Sequence, residues 1–463
     1  MLQQTLLLCG LLGGLLKEIN QMKYVFTLLI FACSTTIFGI QDTDSCTTLE
    51  TIPNVVTNDI KAGIERHIRE LSESNDGFFP ITFEDKEMKL KLVRVHMEYL
   101  ANLGPRRHFA CVDLASEEGN VYDVDFFLSG DPGGMIVTET TVHKLNGRPY
   151  YLWEQQEDGT WIHVEATDAS RELLGVVEGE DKFSFVYQAT LPQMEENARM
   201  WIPIPSSDEF QTIKMTKIDV PGRHQILRDK EFGNQILFVE LTEKESGQPI
   251  LLQFDVLRKE KKTHADSSNQ ERFLAPENLV PNSQKFHDIA TEVLVDKNGG
   301  DLVKARALYD HTIDTMRYAK FGNEYGNGDA VFACDSARGN CTDYHSYFIA
   351  LSRSVGIPAR FAIGAAVPSS RDDGGVNGYH CWAEFYAEGK WWPVDISEAD
   401  KYTSLSTYYF GHNPANRVEF SHGRDLVVSP MPESGPINFL AYPLLEVGGK
   451  PVKVKPQFGF KRG

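Results

Sequence analysis

Three residues in the last third of the chain have the types and the order of a thiol acyl-transfer set. They are Cys341, His380 and Asp395. A thiol with an ordinary pKa of about 8.5 is mostly protonated at neutral pH, so a cysteine nucleophile needs a neighbour that stabilises its thiolate. An imidazole can do this and can later protonate a leaving amine, while a carboxylate orients the ring. The three residue types therefore indicate a thiol acyl-transfer enzyme.

The cysteine stands at a predicted helix start. An N-cap residue type, Asn340, precedes Cys341, and apolar side chains then recur at helical spacing from Tyr344 to Val355, just before Gly356. The free N–H groups and the dipole of a helix N-terminus favour a thiolate and can hold an oxyanion. The local sequence therefore predicts that Cys341 is reactive.

The histidine and the aspartate stand on a predicted β-hairpin. Its strands are predicted at residues 380–386 and 391–396, with turn residue types at 387–390. Alternation along the strands places His380 and Asp395 on one face as diagonal neighbours, whose Cα atoms lie about 7–8 Å apart. The two side chains are therefore predicted to reach each other, and a shift of one residue in the register would separate them.

The same pattern suggests residues that border a substrate cleft. Trp382 and Trp391 share the predicted face of His380 and Asp395, although ordinary aromatic packing would give the same pattern. Tyr318 precedes a glycine-rich segment at residues 322–328, which is not a nucleotide-binding fingerprint because no strand-to-helix context surrounds it. These three aromatic residues are the predicted cleft residues.

Together, these stretches resemble the transglutaminase-like proteins of the papain-like cysteine-enzyme superfamily. The resemblance spans residues 275–445 and rests on the stretches around 341–351, 356–360, 379–384 and 393–395, with the bacterial branch resembled at 398–399, 409–411, 416–418 and 422–425. It implies an α+β catalytic core in which a helix N-terminus carries the cysteine against an antiparallel sheet. It also implies that Cys341 is the nucleophile, His380 the acid/base and Asp395 the residue that orients it.

Three other residues near the predicted set have alternative interpretations. His345 lies four residues after Cys341 on the same helix face and competes for the role of base, with packing or capping as the other interpretation. Cys334 and Cys381 are predicted to be structural. Cys334 is close enough in sequence to form a redox-sensitive pair with Cys341.

Other chemistries lack their motifs in this sequence. It has no HExxH, no paired CxxC, no P-loop and no GxSxG elbow, and the acidic loop at residues 369–375 lacks the EF-hand pattern. We therefore predict no metal and no cofactor. The formal charge of −19 argues against a nucleic-acid partner, so a protein or peptide substrate is expected.

The N-terminus has the pattern of an export signal. A short basic start at Met22 is followed by an apolar run and small residues near position 39, so translation could begin at Met1 or at Met22. A partial lipobox makes Cys33 a possible lipid anchor. Cleavage near position 39 leaves an odd number of cysteines, which requires one free thiol in an oxidising compartment, with a Cys46 to Cys111 disulfide possible. A periplasmic or extracellular location is predicted.

The rest of the chain divides into segments of different character. A helix predicted at residues 88–103 with strands after it indicates a small α+β domain, and evenly spaced strand candidates indicate a β-sandwich. The predicted segments are residues 1–40 (extension and signal peptide), 41–74 (polar linker), 75–170 (small α+β domain), 181–262 (β-sandwich), 275–425 (catalytic domain) and 426–463 (C-terminal tail packed on the core).

The final acyl acceptor is left open by the sequence. Water would resolve a thioacyl enzyme by hydrolysis and an amine would resolve it by transamidation, and the same three residues serve both reactions. Hydrolysis is favoured because bacterial relatives in the cell envelope are more often proteases or amidases. A non-enzymatic envelope binding protein is the alternative of another class.

Overall fold

The computed structural model describes residues 55–97, 101–104, 106–155, 161–165, 175–322, 324–401 and 405–463. The predicted signal peptide, both candidate start methionines, Cys33 and Cys46 lie outside these residues. No helix in the described ranges is both long enough and apolar enough to cross a membrane.

The first part of the described chain is one helix against an antiparallel sheet. The helix α1 spans Thr57–Glu73, and its isoleucines Ile60, Ile64 and Ile68 lie on one face and are buried against the sheet. The sheet order is β1-β2-β4-β5-β6-β7, with β3 also paired to β4. The strands are β1 (Phe79–Phe83), β2 (Lys86–Val95), β3 (Ala101–Gly104), β4 (Arg107–Ser116), β5 (Val121–Ser129), β6 (Ile136–Leu145) and β7 (Arg148–Pro149); a separate hairpin contains β8 (Tyr151–Gln155) and β9 (Trp161–Glu165).

The position of the helix in this region corrects two predictions. The helix predicted at residues 88–103 is wrong, because its first half is β2, in which Leu90 and Val95 point into the same core on either side of a register shift. That shift disturbs the two-residue alternation and imitates a helical pattern. The segment predicted as a polar linker, residues 41–74, instead contains α1. The large apolar side chains on the buried face of this helix are three isoleucines, so its helical pattern is weak in the sequence.

The second region is a β-sandwich of two five-stranded sheets. Their orders are β12-β15-β10-β25-β19 and β13-β14-β11-β23-β24. The strands from this region are β10 (Glu180–Thr190), β11 (Ala198–Ile204), β12 (Gln211–Asp219), β13 (Arg223–Arg228), β14 (Gln235–Leu241) and β15 (Pro249–Lys259). The buried faces of both sheets form one core, which includes Phe185, Phe254, Met200 and Val239.

The third region contains the helix that begins at Cys341. Its helices are α2 (Gln284–Val293), α3 (Asp301–Thr315), α4 (Ala330–Ser336), α5 (Cys341–Ser354) and α6 (Ile396–Lys401). Its strands are β16 (Arg317–Tyr318), β17 (Arg338–Gly339), β18 (Ala359–Ala366), β19 (Asp373–Val376), β20 (His380–Ala387), β21 (Lys390–Val394) and β22 (Arg417–His422). Helix α5 is buried from Cys341 to Ser352 and packs on the antiparallel sheet β21-β20-β18-β22, so the fold is α+β.

The C-terminal residues complete the sandwich. The strands β23 (Leu444–Val447), β24 (Lys450–Lys453) and β25 (Gln457–Arg462) join the two sandwich sheets, with β25 paired to β10 and β23 paired to β11. The strand β19, which precedes the histidine strand, pairs with β25 at the edge of the same sheet. Residues 426–463, predicted as a C-terminal tail packed on the core, therefore supply three strands of the sandwich, and β19 joins this sandwich to the strand that begins at His380.

Candidate active site

The start of helix α5 fixes the position of the cysteine. Asn340 is the N-cap, and its side-chain oxygen accepts a hydrogen bond from the Thr342 N–H at 3.0 Å. Asp343 bonds back to the Asn340 N–H at 2.9 Å, which completes a capping box. The helix predicted from Cys341 is confirmed, and Cys341 lies in its first turn, where backbone N–H groups have no partner within the helix.

The hairpin has the predicted register. Glu384 pairs with Pro393 and Tyr386 with Trp391, and the turn residues Glu388 and Gly389 have φ angles of 52° and 79°, as a two-residue hairpin turn requires. His380 begins β20 and Asp395 follows the end of β21. This register brings His380 Nε2 to 2.6 Å from Asp395 Oδ2.

The thiol and the imidazole form a buried ion pair. Burial alone raises the pKa of Cys341, but hydrogen bonds from Cys381 and His380 and the positive charge of His380 outweigh it, so this pKa lies well below its usual value. Burial lowers the pKa of His380, but the charge and hydrogen bond of Asp395 and its contact with Cys341 raise the pKa to about 9. These opposite shifts favour a thiolate at Cys341 beside an imidazolium at His380.

The carboxylate is held by more than the histidine. Asp395 is fully buried directly before α6, and its Oδ1 accepts hydrogen bonds from the Glu398 N–H at 3.2 Å and the Ser397 hydroxyl at 3.3 Å. Arg417 Nη2 lies 3.6 Å from its Oδ2. Burial raises the pKa of Asp395, but the charges of His380 and Arg417 hold that pKa below its usual range. The carboxylate is therefore ionised and fixed in orientation.

Both ring nitrogens of His345 hydrogen-bond with backbone groups, so this residue does not act as the competing base. The Ile396 N–H donates to His345 Nε2 at 3.0 Å, so Nε2 is an acceptor and Nδ1 carries the proton that is donated to the Cys341 carbonyl at 2.7 Å. Burial lowers the pKa of His345, which keeps this ring neutral. His345 therefore ties the cysteine helix to the segment after Asp395.

The other two cysteines differ in their distance from the site. Cys381 hydrogen-bonds with the Cys341 thiol and lies 3.5 Å from His345 Nδ1, and burial raises the pKa of Cys381 well above its usual value. Cys334 is on α4, where it hydrogen-bonds with Tyr347. The cysteine that contacts Cys341 is therefore Cys381, rather than the Cys334 that the sequence suggested.

Cys341 lies at the surface of a large open cleft. The cleft has a volume of about 1160 Å³, and Tyr318, Asn340 and Tyr379 line it beside the cysteine. The Tyr379 hydroxyl accepts a hydrogen bond from Asn340 Nδ2 at 2.8 Å. The opposite wall comes from the sandwich, at β10, β19 and β25. The cleft therefore exists only because the C-terminal strands return to the catalytic domain.

The two tryptophans predicted to border the cleft do not do so. Trp382 is fully buried, with the Arg258 guanidinium 6.0 Å from its ring centre. Trp391 is also buried and packs against Arg360 at 4.0 Å, with its Nε1 donating to Asp266. The residues that join the sandwich to the catalytic domain cover this face of the hairpin, so the prediction is wrong for both residues.

Two charged residues hold the glycine-rich wall of the cleft. The Asp343 carboxylate accepts hydrogen bonds from the N–H groups of Gly326 at 2.8 Å and Gly328 at 3.1 Å, and burial raises its pKa to about 6. Arg424 Nη1 donates to the Gly328 carbonyl at 2.7 Å. The sequence interpretation missed both roles, although an aspartate three residues after an N-cap asparagine is a recognisable capping-box signal.

Comparison with known proteins gives one family match. Residues 288–396 match the model of the transglutaminase-like superfamily, and this range includes Cys341, His380 and Asp395. An uncharacterized protein of Haemophilus influenzae is 26% identical over 322 residues, which are 58% of this chain and 86% of that protein.

Solved structures give weaker similarities. A protein of Cytophaga hutchinsonii, described as a candidate cysteine protease, aligns with 62% of this chain and 99% of its own at 14% identity, with a TM-score of 0.42. The periplasmic domain of TgpA from Pseudomonas aeruginosa aligns with 50% of this chain and 93% of its own at 14% identity, with a TM-score of 0.28.

Proposed function

This chain is a transglutaminase-like superfamily protein, and on that premise we propose that it is a cysteine enzyme that cleaves amide bonds in proteins or peptides. The observation that carries the proposal is the continuous chain of contacts from the Cys341 thiol through His380 to Asp395 at the edge of an open cleft. Each group in it has the charge that acyl transfer needs at neutral pH.

In the first half of the proposed reaction the Cys341 thiolate attacks the carbonyl carbon of a bound amide. The carbonyl oxygen becomes an oxyanion, for which the Cys341 N–H in the first turn of α5 is a donor. The His380 imidazolium gives its proton to the leaving nitrogen as the carbon–nitrogen bond breaks. The products are a free amine, a thioester on Cys341 and a neutral His380, which Asp395 keeps in the same orientation.

In the second half a water molecule resolves the thioester. Neutral His380 takes a proton from the water as the oxygen attacks, and the thiolate leaves, which releases a carboxylic acid and restores the ion pair. Hydrolysis is supported by the open, polar cleft, since glycines, asparagines and lysines border it and leave room for water. Transamidation, in which an amine replaces this water, is the alternative acceptor.

The proposed setting is outside the cytoplasm. The apolar stretch after Met22 supports export to the periplasm or the extracellular space, with Cys33 as a possible lipid anchor. The partner we propose is a protein or peptide substrate, and the acidic net charge of −19 speaks against a nucleic acid.

Thiol labelling separates an enzyme from a non-enzymatic binding protein. We expect iodoacetamide at about pH 6 to modify Cys341 at least about 100-fold faster than Cys111, Cys334 and Cys381, because the contacts with Cys381 and His380 lower the pKa of Cys341. From there to about pH 8 the Cys341 rate should be nearly flat, whereas an ordinary thiol gains about tenfold per pH unit. Peptide mass spectrometry gives the rates, and equal labelling of Cys341 and Cys334 would refute the enzyme proposal.

A second assay separates the two acceptors. Wild type and Cys341→Ala are incubated with casein and a fluorescent primary amine, and both new peptide termini and protein-bound fluorescence are measured. New termini that depend on Cys341, without bound fluorescence, are the expected result for hydrolysis. Incorporation of the amine that depends on Cys341 would replace hydrolysis by transamidation.

A further inference from the structure

The charge of the cleft is opposite to that of the whole chain. The sequence has 65 acidic and 46 basic residues, yet the described residues that line the cleft include Lys320, Lys453 and Lys455 and no aspartate or glutamate. In a protein with a formal charge of −19, a cleft whose charged side chains, among the described residues, are all positive is a local exception.

Neighbouring acidic groups do not neutralise these lysines. All three lysines are exposed, and none of them forms an ion pair with a described residue. The carboxylate of Asp343 is occupied by backbone N–H groups, and Glu398 pairs with Lys401 at 2.5 Å. The ammonium groups in the cleft are therefore available to an anionic ligand.

The shape of the cleft fits a chain rather than a small molecule. Small-molecule pockets usually have volumes of about 300–1000 Å³, and this open cleft reaches about 1160 Å³. One wall is the edge strand β19, where Gly374 and Gly375 are exposed and the Gly375 carbonyl accepts a hydrogen bond from Arg371 Nη2. An extended peptide can pair with a strand edge of this kind.

We propose that the cleft selects extended peptide segments that carry carboxylates, which Lys320, Lys453 and Lys455 bind on either side of the bond presented to Cys341. The proposed substrate class rests on the proposed function only for the reaction at that bond, because binding itself needs no catalysis. Lys453 ends β24 and Lys455 lies between β24 and β25, so the sandwich determines specificity while the catalytic domain supplies the reactive groups. Electrostatic pairing at exposed lysines is screened by salt, which gives the selection a measurable signature.

The test uses binding to the inactive full-length variant Cys341→Ala. Fluorescein-labelled hexaglutamate and hexaglutamine are titrated by fluorescence anisotropy at about 50 mM and about 500 mM NaCl. We expect hexaglutamate to bind at least about tenfold more tightly than hexaglutamine at low salt and to lose most of this advantage at high salt. Adding Lys320→Glu, Lys453→Glu and Lys455→Glu should remove the preference.

A control with the same change in net charge tests whether the effect is local. Lys89→Glu, Lys214→Glu and Lys244→Glu reverse three exposed lysines that do not line the cleft, and we expect them to leave the hexaglutamate affinity within about twofold. Thermal unfolding of both triple variants shows that they are folded. Equal affinity for the two peptides, or an equal loss in the two triple variants, would overturn the proposal.

The two proposals fail separately. If Cys341 is rapidly alkylated but hexaglutamate shows no preference, only the acidic specificity is wrong. If hexaglutamate binds in the cleft but Cys341 is no more reactive than Cys334, the cleft recognises acidic peptides without the proposed catalysis.

Discussion

Two regions of this molecule contain a buried cysteine, histidine and aspartate, but the pKa of the thiol is lowered in one region and raised in the other. At the site described above, the order of contacts is cysteine, histidine, aspartate. On the N-terminal sheet, the Cys111 thiol donates to Asp125 Oδ1 at 3.2 Å, and His143 Nδ1 lies 3.6 Å from the same oxygen. There the carboxylate stands between the thiol and the imidazole.

A carboxylate next to the thiol, in place of an imidazole, reverses the direction of the thiol pKa shift. Burial raises the pKa of Cys111, and the negative charges of Asp123 and Asp125 raise it further, far above its usual value. At Cys341 burial acts in the same direction, but the contacts with Cys381 and with positively charged His380 outweigh it. The presence of three suitable residue types therefore does not predict the direction of the thiol pKa shift until the neighbour of the sulfur is known.

The N-terminal set has a structural use. Asp113, across β4 and β5 from Asp123, pairs with the buried Arg306 of α3 at 2.9 Å, and the Asp123 carboxylate accepts from Lys144 at 3.1 Å. The Asp113–Arg306 pair joins the N-terminal sheet to α3, and the Asp123–Lys144 pair lies within the sheet, between β5 and β6.

The largest expected effect is the loss of the Cys341 thiol. Cys341→Ser should lower amide hydrolysis by about 10⁴-fold or more, because a hydroxyl is a poor nucleophile at this pH. Cys111→Ser is the matched control and should keep the rate within about twofold. The rates of casein cleavage by the purified variants give the comparison, and a Cys341→Ser enzyme with substantial activity would show that another group attacks the substrate.

A smaller effect is expected when the carboxylate behind His380 is neutralised. Asp395→Asn should lower the rate by about 10³-fold, because the ring loses its orienting charge. The wild-type rate should fall as pH rises through the His380 pKa of about 9, where the imidazolium loses its proton. Since the Asp395 charge raises that pKa, the fall should move to lower pH in Asp395→Asn.

The control for this variant is Asp400, on the short helix α6 that begins directly after Asp395. Asp400 accepts a hydrogen bond from the Tyr344 hydroxyl at 2.7 Å and does not contact His380. Asp400→Asn should keep the wild-type pH profile, even if its rate changes slightly. An equal displacement of the alkaline limb in both variants would contradict the assignment of Asp395.

The smallest effect concerns the unreactive thiol. Asp125→Asn removes one of the negative charges that raise the pKa of Cys111, so its alkylation at about pH 8 should become faster, by no more than about tenfold. Cys111 should still react more slowly than Cys341, since burial and the negative charge of Asp123 continue to raise its pKa. Mass spectrometry of the alkylated peptides measures both rates, and a Cys111 as fast as Cys341 would refute this explanation.

Parts of the site depend on short-range rules, and the sequence predicted those parts. The start of α5 follows from an asparagine cap and helical spacing, and the hairpin register follows from alternation around a turn with an even number of residues. Each of these patterns depends on residues that are close to one another in the sequence. They were enough to predict that His380 and Asp395 would meet, as the 2.6 Å hydrogen bond shows.

The sequence interpretation failed where distant segments meet. Trp382 and Trp391 share the strand face of His380, but the segment after β15 covers them, as the backbone pairing of His264 with Trp391 shows. The cleft wall formed by β25 comes from the end of the chain, more than a hundred residues after Cys341. No local period marks such a contact.

The sequence by itself determined the residue types of the site, the helix that presents Cys341 and the register that pairs His380 with Asp395, because capping, turn geometry and strand alternation act between near neighbours. Only the tertiary structure decided which neighbour each buried thiol meets, that Cys341 faces an imidazolium and Cys111 a carboxylate, and that C-terminal lysines line the cleft. The physical reason is that a pKa and a cleft depend on charges and surfaces brought together by packing, from segments that are distant in the chain.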